Sequence, residues 1–527
     1  MIIPEILRKI CFYILFNLKK RNFKQSLSFA GNEKSVDKIQ KKCVILPIIE
    51  TSHYKYIQHL IIAKALQLRG ARIIVLTCGE SLQFCEIRSS INKDKDPCWR
   101  CRFGAKNYLP LFGFETISIS DIKKKLKIDW PVKKTKLKKF LIETEFFLER
   151  CIQETITRHY YGKIVNNPKE YDKALHSVYL SWITAQFLHK KFNPDLILGY
   201  MAAYSEWEPI LRYFENVGVD FRLITSTPFS NKAQMIDWPE LYLSTERYKK
   251  FLKNRNGKML SIIEKKQLSE FIYKRFSGND DVMKFLGVAR SSNLNNFSKI
   301  LKKHKKVVAI FPNVHWDVGL SDLNTIFPSM MDWLYETIDF LGTKKNVEIL
   351  LRLHPVEALY KNRGSTSIID LIKNRLDTLP SNLTVIDADA NFSSYSLFEK
   401  IDVGVTYNGS IGLEMLLQNV PTVISGKAHY SQIPGTFTPK SKNEYLKAIT
   451  GEIKVKKPLK KDIELFSYFY FLKSSIPWNL TPLSYGAGNF DQFNFKSIND
   501  MYPGKDIHLD HLCNCIFNKE ISPESWN

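Results

Sequence analysis

The sequence predicts an α/β protein of two Rossmann-like, doubly wound domains facing a cleft, with a helical insertion in the first and an amphipathic helix ahead of it. Three observations carry this expectation. Short apolar runs such as Cys43 to Ile48 (CVILPI), Val307 to Phe311 (VVAIF) and Val403 to Thr406 (VGVT) have the length and continuity of strands buried on both faces. Segments with apolar residues three and four apart separate such runs, the alternation of a parallel sheet. This alternation occurs twice, over 41–240 and again over 301–455, with a lysine-rich, mostly helical bridge over 241–300. A chain of 527 residues has room for both domains.

Residues 1–40 come first. Ile2 to Leu18 is apolar but interrupted by Glu5, Arg8 and Lys9. It is too short and too charged for a transmembrane helix, and no small-residue cleavage site follows it. Two readings stand side by side: an amphipathic helix lying on a membrane with Lys19, Lys20, Arg21 and Lys24 at the headgroups, or a helix packed on the first domain. In the first domain, Cys43 to Ile48 is a strand, Tyr56 to Arg69 a helix closed by Gly70, and Arg72 to Thr77 the next strand. Glu50, Thr51, Ser52 and His53 follow the first strand, at the sheet edge where ligands bind. Cys78, Cys85, Cys98 and Cys101, the last two in a Cys-x-x-Cys, are a candidate structural zinc set; free thiols are the alternative.

Residues 121–190 read as a helical insertion. The sheet resumes at Pro194 to Gly199, then Ser205 to Val217 is a helix and Phe221 to Thr225 a strand. Glu206 and Glu208 sit at the start of that helix as candidate general bases, although carboxylates are common there for dipole reasons alone. In the tail, over 456–527, Phe466 to Phe471 is an aromatic stretch expected to fold back onto the first domain, and His508, His511, Cys513 and Cys515 are a weak metal signal.

The second domain holds the most informative stretch, Asp402 to Tyr430 (DVGVTYNGSIGLEMLLQNVPTVISGKAHY). A buried strand runs into the turn Tyr407-Asn408-Gly409. Ser410 is placed to N-cap a helix, Ile411 to Gln418, with Glu414 one turn in. Strand, glycine turn and helix start aim backbone N–H groups at one point, the arrangement that takes a phosphate. Glu414 lies where a carboxylate accepts from ribose hydroxyls. An ordinary ligand-free crossover turn is the competing reading. A second strand, Glu348 to Leu353, ends in His354-Pro355, which places His354 at the ligand-binding edge of the same sheet. Arg352 and Lys427 are nearby cations, and Asp317 lies in the loop Pro312 to Leu320 as a candidate catalytic carboxylate or a loop cap. Asp387 and Asp389 have the spacing of a metal-binding pair but precede only a short loop.

Lysine and arginine number 77 against 53 aspartate and glutamate, a net charge of +24. Such a surplus implies an acidic partner: a polyanionic substrate, an anionic membrane or nucleic acid. Nine lysines fall between Lys123 and Lys139, interleaved with Leu126, Ile128, Trp130 and Leu137, a mixture suited to an anionic membrane face, although a solvated helix face is the simpler account. No RRM, KH, zinc-finger or helix-turn-helix pattern accompanies the charge, so nucleic acid is set aside. Nine cysteines without an export signal read as reduced thiols of a cytoplasmic protein held at the inner face of the membrane.

FPNVHWD, RLHPVE, YSLFEKIDVGVTYNGSIGLEML, PTVISGKAHY and GTFTP together resemble the C-terminal half of bacterial capsule and surface polysaccharide synthesis proteins, a group that includes the capsule Kdo transferases. The resemblance spans about 300 to 450, is weaker over 43 to 225, and does not reach 1–40, 121–190 or 455–527. It implies a GT-B glycosyltransferase that moves a sugar from a nucleotide-activated donor to a polysaccharide or lipid-linked acceptor. It further implies donor binding by Arg352, His354, Asn408, Gly409, Ser410, Glu414 and Lys427, with Asp317 and His354 as catalytic candidates beside Glu206 from the first domain; a helix start, a histidine and cations stabilise the leaving phosphate without a metal, so no cofactor is expected for the transfer. Two alternatives stay open: a polyol-phosphate transferase using a CDP-linked donor, and a non-catalytic subunit of a polysaccharide assembly complex.

Overall fold

The computed structural model describes residues 42–49, 54–89, 95–226, 232–236, 245–279, 306–317, 325–361, 364–376, 378–390, 393–478, 480 and 497–518. The expected amphipathic helix in 1–40 and the loop residues Glu50, Thr51, Ser52 and His53 lie outside them. The chain forms two compact units, one of Met1–Tyr160, Ile164–Leu241 and Ser475–Asn527, the other of Tyr161–Lys163 and Tyr242–Ser474.

The first unit is built on β1 (Cys43–Ile48), β2 (Arg72–Thr77), β3 (Glu115–Ser118), β4 (Leu196–Gly199), β5 (Asp220–Ser226) and β6 (Lys232–Ile236), with the two-residue strand Ile476–Pro477 at one edge. From that edge the order is Ile476–Pro477, β6, β5, β4, β1, β2, β3. Neighbours from β5 to β3 pair in parallel, whereas β6 runs antiparallel to β5 and Ile476–Pro477 antiparallel to β6. Alternate residues of each strand face opposite layers. Val44, Leu46 and Ile48 pack with Leu60 and Ile61 of the helix Tyr54–Leu68 and with Leu512 and Ile516 of the helix Ile507–Asn518. Ile45, Ile74 and Leu76 face Leu180 and Leu188 of the helix Pro168–Phe192 and Ile210 and Phe214 of the helix Tyr204–Asn216.

What reads in sequence as an insertion over 121–190 is the crossover from β3 to β4. Its long helix is one layer of the sheet. The helices Lys134–Thr144 and Leu148–His159 share a satellite core with it, made of Phe84, Phe140, Phe147, Ile152, Tyr179 and Trp182. Asn167 caps the long helix by accepting from the Lys169 N–H, Pro168 starts it, and Asn193 in the left-handed region ends it.

The tail divides. The helix Ile507–Asn518 buries Cys513 and Cys515 in the first core, and Arg69 holds it by pairing with Asp510 and donating to the Met501 carbonyl. Those two cysteines are packing residues, and the expected metal role of His508, His511, Cys513 and Cys515 finds no ligand cluster among the described residues. Phe466 to Phe471, expected on the first domain, belongs instead to the second unit. There Phe466 meets Tyr248 at 4.9 Å and Phe469 meets Phe251 at 5.1 Å between ring centroids. An aromatic run carries no information about which apolar surface it joins.

The second unit has β7 (Lys306–Phe311), β8 (Val347–Arg352), β9 (Leu383–Ile386), β10 (Val403–Thr406) and β11 (Thr422–Ile424), all parallel, in the order β11, β10, β7, β8, β9. Val308, Ile310, Ile349, Leu351 and Val405 pack with Trp333, Leu334 and Ile338 of the helix Met330–Gly342. Val307, Ala309 and Leu350 face Leu397, Met415 and Val420 on the other side. The doubly wound class is thus present in both units. Among the described residues no helix is long and apolar enough to cross a membrane.

Three residues, Tyr161–Lys163, join the second unit from far away in sequence. The Thr366 N–H donates to the Tyr161 carbonyl at 3.1 Å, and the Tyr161 ring lies 5.8 Å from Trp316 and 4.9 Å from Tyr360. Gly162 between them has φ +79°, and a Cβ there would fall 1.8 Å from His315 Nε2. Gly162→Ala therefore combines an unfavourable backbone with a ring clash, and we expect it to cost about 1–3 kcal/mol in urea unfolding, more than Gly257→Ala, where φ is also positive at +78° but nothing lies within 4 Å of the added Cβ.

Candidate functional site

In the second unit the chain fills one side of the sheet with β7, β8 and β9 and the other with β10 and β11. The strand order reverses between β7 and β10, and ligands of open parallel sheets bind outside the C-terminal ends of the strands at such a point. Two loops meet there. Phe311 of β7 registers with Thr406 of β10, and the Thr406 hydroxyl donates to the Phe311 carbonyl at 3.1 Å. Two residues beyond each, the Asn408 N–H points to Asn313 Oδ1 at 3.4 Å. Asn408 is only 6% exposed and its Oδ1 has no hydrogen-bond partner. A buried carbonyl oxygen left this way costs about 1–3 kcal/mol unless a bound water or ligand supplies the missing donor. Asn313 was not among the residues expected to bind. Its signal in the sequence was its equal offset from the strand end opposite the Asn-Gly turn, usable only once the β7–β10 register is known.

The turn is held rigidly. The Ser425 and Gly426 N–H groups donate to the carbonyls of Thr406 and Tyr407 at 2.9 and 2.7 Å, and the Tyr430 hydroxyl donates to the Gly409 carbonyl at 2.8 Å. Gly412 makes this last bond feasible, because a Cβ there would lie 1.9 Å from Tyr430 Oη. Ser410 stands at the N-cap position of the helix Ile411–Leu417 but is itself helical, φ −59° and ψ −19°, and its hydroxyl makes no capping bond, contrary to expectation. A capping hydroxyl needs an extended backbone, and the tight Gly409-to-Gly412 turn removes it.

Glu414 also departs from expectation. It is buried, and its Oε1 accepts from Arg275 Nε at 2.5 Å, with both side chains nearly sealed from solvent. The carboxylate is engaged in fastening the helix Ile411–Leu417 to the helix Ile262–Phe276, and is not turned out to a ribose. Arg352 is likewise occupied. It donates to Ser394 Oγ at 3.1 Å and to the Asp387 carbonyl, and burial lowers its pKa to about 10. It supports the loop after β9, where Lys361 pairs with Asp387 at 3.4 Å and Asp389 at 3.5 Å.

His354 stands where expected, just past β8. The Val356 N–H donates to its Nδ1 at 3.2 Å, so the neutral ring carries its proton on Nε2. Burial and the neighbouring Arg352 charge lower its pKa to about 4, which keeps it a neutral donor at physiological pH. Asp317 is exposed, at the end of a turn in which its N–H donates to the Val314 carbonyl at 3.0 Å, and Lys427 is exposed after β11.

In the first unit the reversal lies between β1 and β4, and the helix Tyr204–Asn216 starts beside it. Glu206 is 3% exposed. It accepts from the Glu86 N–H at 3.3 Å and lies 3.3 Å from the Ser205 hydroxyl; burial first, then the Glu86 charge, raises its pKa to about 8. The cavity it shares with Thr155, Arg158, His159 and Tyr204 offers about 10 Å³ of room, the lower limit for one water. Glu208 is fully buried between Arg150 and Arg212, the latter at 3.2 Å, a packing role rather than a base. The four cysteines do not form a metal site. Cys78, Cys85, Cys98 and Cys101 form no disulfide, and no group of three or more ligating side chains occurs among the described residues.

No protein-family model matches the chain, and no curated protein does. Among solved structures it is similar to the KpsC β-Kdo 2,4 transferase of Thermosulfurimonas dismutans, with 13% identity over 59% of this chain and 88% of that one and a TM-score of 0.36. The KpsC β-Kdo 2,7 transferase of the same organism gives 12% identity, 63% and 89% coverage and a TM-score of 0.32. A UDP-GlcNAc 2-epimerase from Neisseria meningitidis bound to UDP-GlcNAc gives 10% identity, 80% and 97% coverage and a TM-score of 0.25. These scores are low, and the two-sheet α/β topology rests on the chain's own strand pairing.

Two predictions follow from the buried carboxylates. Glu414→Ala takes from the buried Arg275 its Glu414 partner, so stability should fall by about 3–5 kcal/mol in denaturant unfolding, with part of the loss recovered when Arg275→Met is added. Glu206 ionises near its ordinary 4.5 when unfolded and only at about 8 when folded. The folded state therefore holds the extra proton between these values, and this residue's contribution to stability declines as pH rises through that window. Glu206→Gln keeps the acceptor without the charge, so its melting temperature relative to wild type should climb from pH 5 to about pH 8 and level off above it.

Proposed function

We propose that the chain is a GT-B-type glycosyltransferase, which carries a sugar from a nucleotide-activated donor to a surface polysaccharide or glycolipid acceptor. The observation that carries this reading is the buried, partnerless Asn408 Oδ1 at the β7–β10 reversal, with the neutral His354 donor one strand away. In this reading the Gly409 and Ser410 N–H groups, the Ser410 hydroxyl and His354 Nε2–H face the donor phosphates. The leaving nucleotide gains negative charge in the transition state, and fixed neutral donors stabilise that charge without a metal being required. Asn313 and Asn408 orient the donor, and Lys427 supplies a cation at the rim. Asp317, an exposed carboxylate in the β7 loop, is the candidate for taking the acceptor proton. The sealed Glu206 is less suited to that task. The acceptor is assigned to the first unit, and the basic segments of the chain to an anionic membrane surface.

Calorimetric titration of the whole protein with CMP, CDP, UDP and GDP tests the donor site. One nucleotide should bind wild type, and His354→Ala and Ser410→Ala should weaken it by about tenfold, the loss of one good hydrogen bond to a charged group. Because His354 titrates near 4, the wild-type affinity should owe it no change between pH 6 and pH 9. A folded protein that binds none of the four overturns the reading.

A further inference from the structure

The first unit has an open cavity of about 870 Å³ at the C-terminal ends of β2 and β3, a size that accommodates a short oligosaccharide. Its wall is the loop Gly79–Gln83 with Arg88 on one side, and Ser120, Lys123, Lys124 and Lys127–Asp129 on the other, with His176 in the lining. Four cations, Arg88, Lys123, Lys124 and Lys127, oppose two carboxylates, Glu80 and Asp129. Glu80 is already neutralised by Arg102 at 2.8 Å, and Arg88 is steadied by the Glu80 carbonyl at 3.5 Å. Lys123, Lys124 and Lys127 have no ion-pair partner among the described residues.

A second observation points the same way. His176 is 3% exposed, and its Nδ1 lies 3.2 Å from Gln83 Nε2, which donates to it. That bond puts the ring proton on Nε2, and Nε2 has no partner. The lining thus holds an unspent buried donor beneath three unpaired ammonium groups. Close approach of the two walls depends on Gly79, where φ is +59° and a Cβ would fall 2.8 Å from Ser120 Cβ.

We infer that this cavity binds the oxyanion of an acidic saccharide, a carboxylate or phosphate carried on a sugar. Resting on the glycosyltransferase reading, this makes the acceptor an anionic glycan. The hydroxyls of Ser81 and Ser120 and the amide of Gln83 complete a lining suited to sugar hydroxyls around the charge. The lysine run from Lys123 is then divided in function. Its first part lines the cavity, whereas Lys136 and Lys138 lie exposed on the separate helix Lys134–Thr144.

The test is binding to the whole protein without any donor, so it stands or falls apart from the nucleotide titration. The probes are a uronate-containing tetrasaccharide, its carboxyl-reduced neutral form and inorganic pyrophosphate. The variants are Lys123→Ala/Lys124→Ala/Lys127→Ala and, as a charge control outside the cavity, Lys134→Ala/Lys136→Ala/Lys138→Ala. The uronate probe should bind wild type and the control alike, bind the first variant about tenfold or more weakly, and lose its affinity when reduced. Pyrophosphate that competes with the uronate assigns the site to either oxyanion; pyrophosphate that does not compete assigns it to carboxylates, and either result upholds the proposal. Equal weakening by both triple variants shows general attraction and overturns it, as does equal binding of the reduced probe or no binding at all. If the nucleotide titration fails while this one succeeds, the oxyanion site stands and the transferase reading falls.

Discussion

Parallel strand polarity is the constraint on which both units depend. A parallel pair cannot be joined by a tight turn, so each strand must be followed by a crossover that returns to the opposite end of the sheet. Every loop leaving a strand's C-terminal end therefore gathers on one edge. In the second unit this brings Asn313, His354 and Asn408 from three separate strands to the same edge. In the first unit it brings the Gly79–Gln83 loop and the Ser120 turn to the rim of one cavity. The apolar layers on both faces keep those edges in place, and the polar residues on them contribute little to the core.

What the edges carry is costly to bury and is therefore tied down. Glu414 with Arg275, Glu208 with Arg150 and Arg212, and Arg352 with Ser394 and the Asp387 carbonyl are all fastened inside the chain. Each fixes one element or loop against another, and removing Glu414 would take from the buried Arg275 its charge partner. Of the buried polar atoms without partners among the described residues, those beside the candidate site and the cavity matter here. Asn408 Oδ1 and His176 Nε2 are such atoms, one at the reversal point of the second sheet and the other in the cationic cavity of the first unit. Fastened charges hold the shape of a site, and unfastened donors and acceptors are what remains for a ligand.

Histidine chemistry follows the same division. Burial lowers the pKa of His354, His176 and His315 to about 4 in each case, so none of these rings is a cation at neutral pH. His315 spends its Nε2 on the Gly162 carbonyl at 3.4 Å, a packing role. His354 and His176 have Nδ1 occupied by a local donor and keep Nε2–H. Neutral donors of this kind suit an anion whose charge must be met without a proton being handed over.

The sequence by itself determined the central strands and the edge at which ligands gather, but did not mark β3, β6 or Ile476–Pro477. Runs such as VVAIF and the Ile349–Leu351 centre of EILLR are continuously apolar because both faces of a parallel sheet are covered, and that pattern is local. It also brought out His354 and the Asn408-Gly409 turn, since strand ends and glycine turns are local too. Only the tertiary structure decided which polar residues are free. Glu414 meets Arg275 across 139 positions, and Asn313 meets Asn408 across 95. No periodicity encodes such a pairing, so a carboxylate that reads as a ribose ligand proved to be a fastening. The aromatic tail segment and the cysteines were undetermined for the same reason: apolar and thiol side chains state that they will be buried, and only the assembled chain states against what.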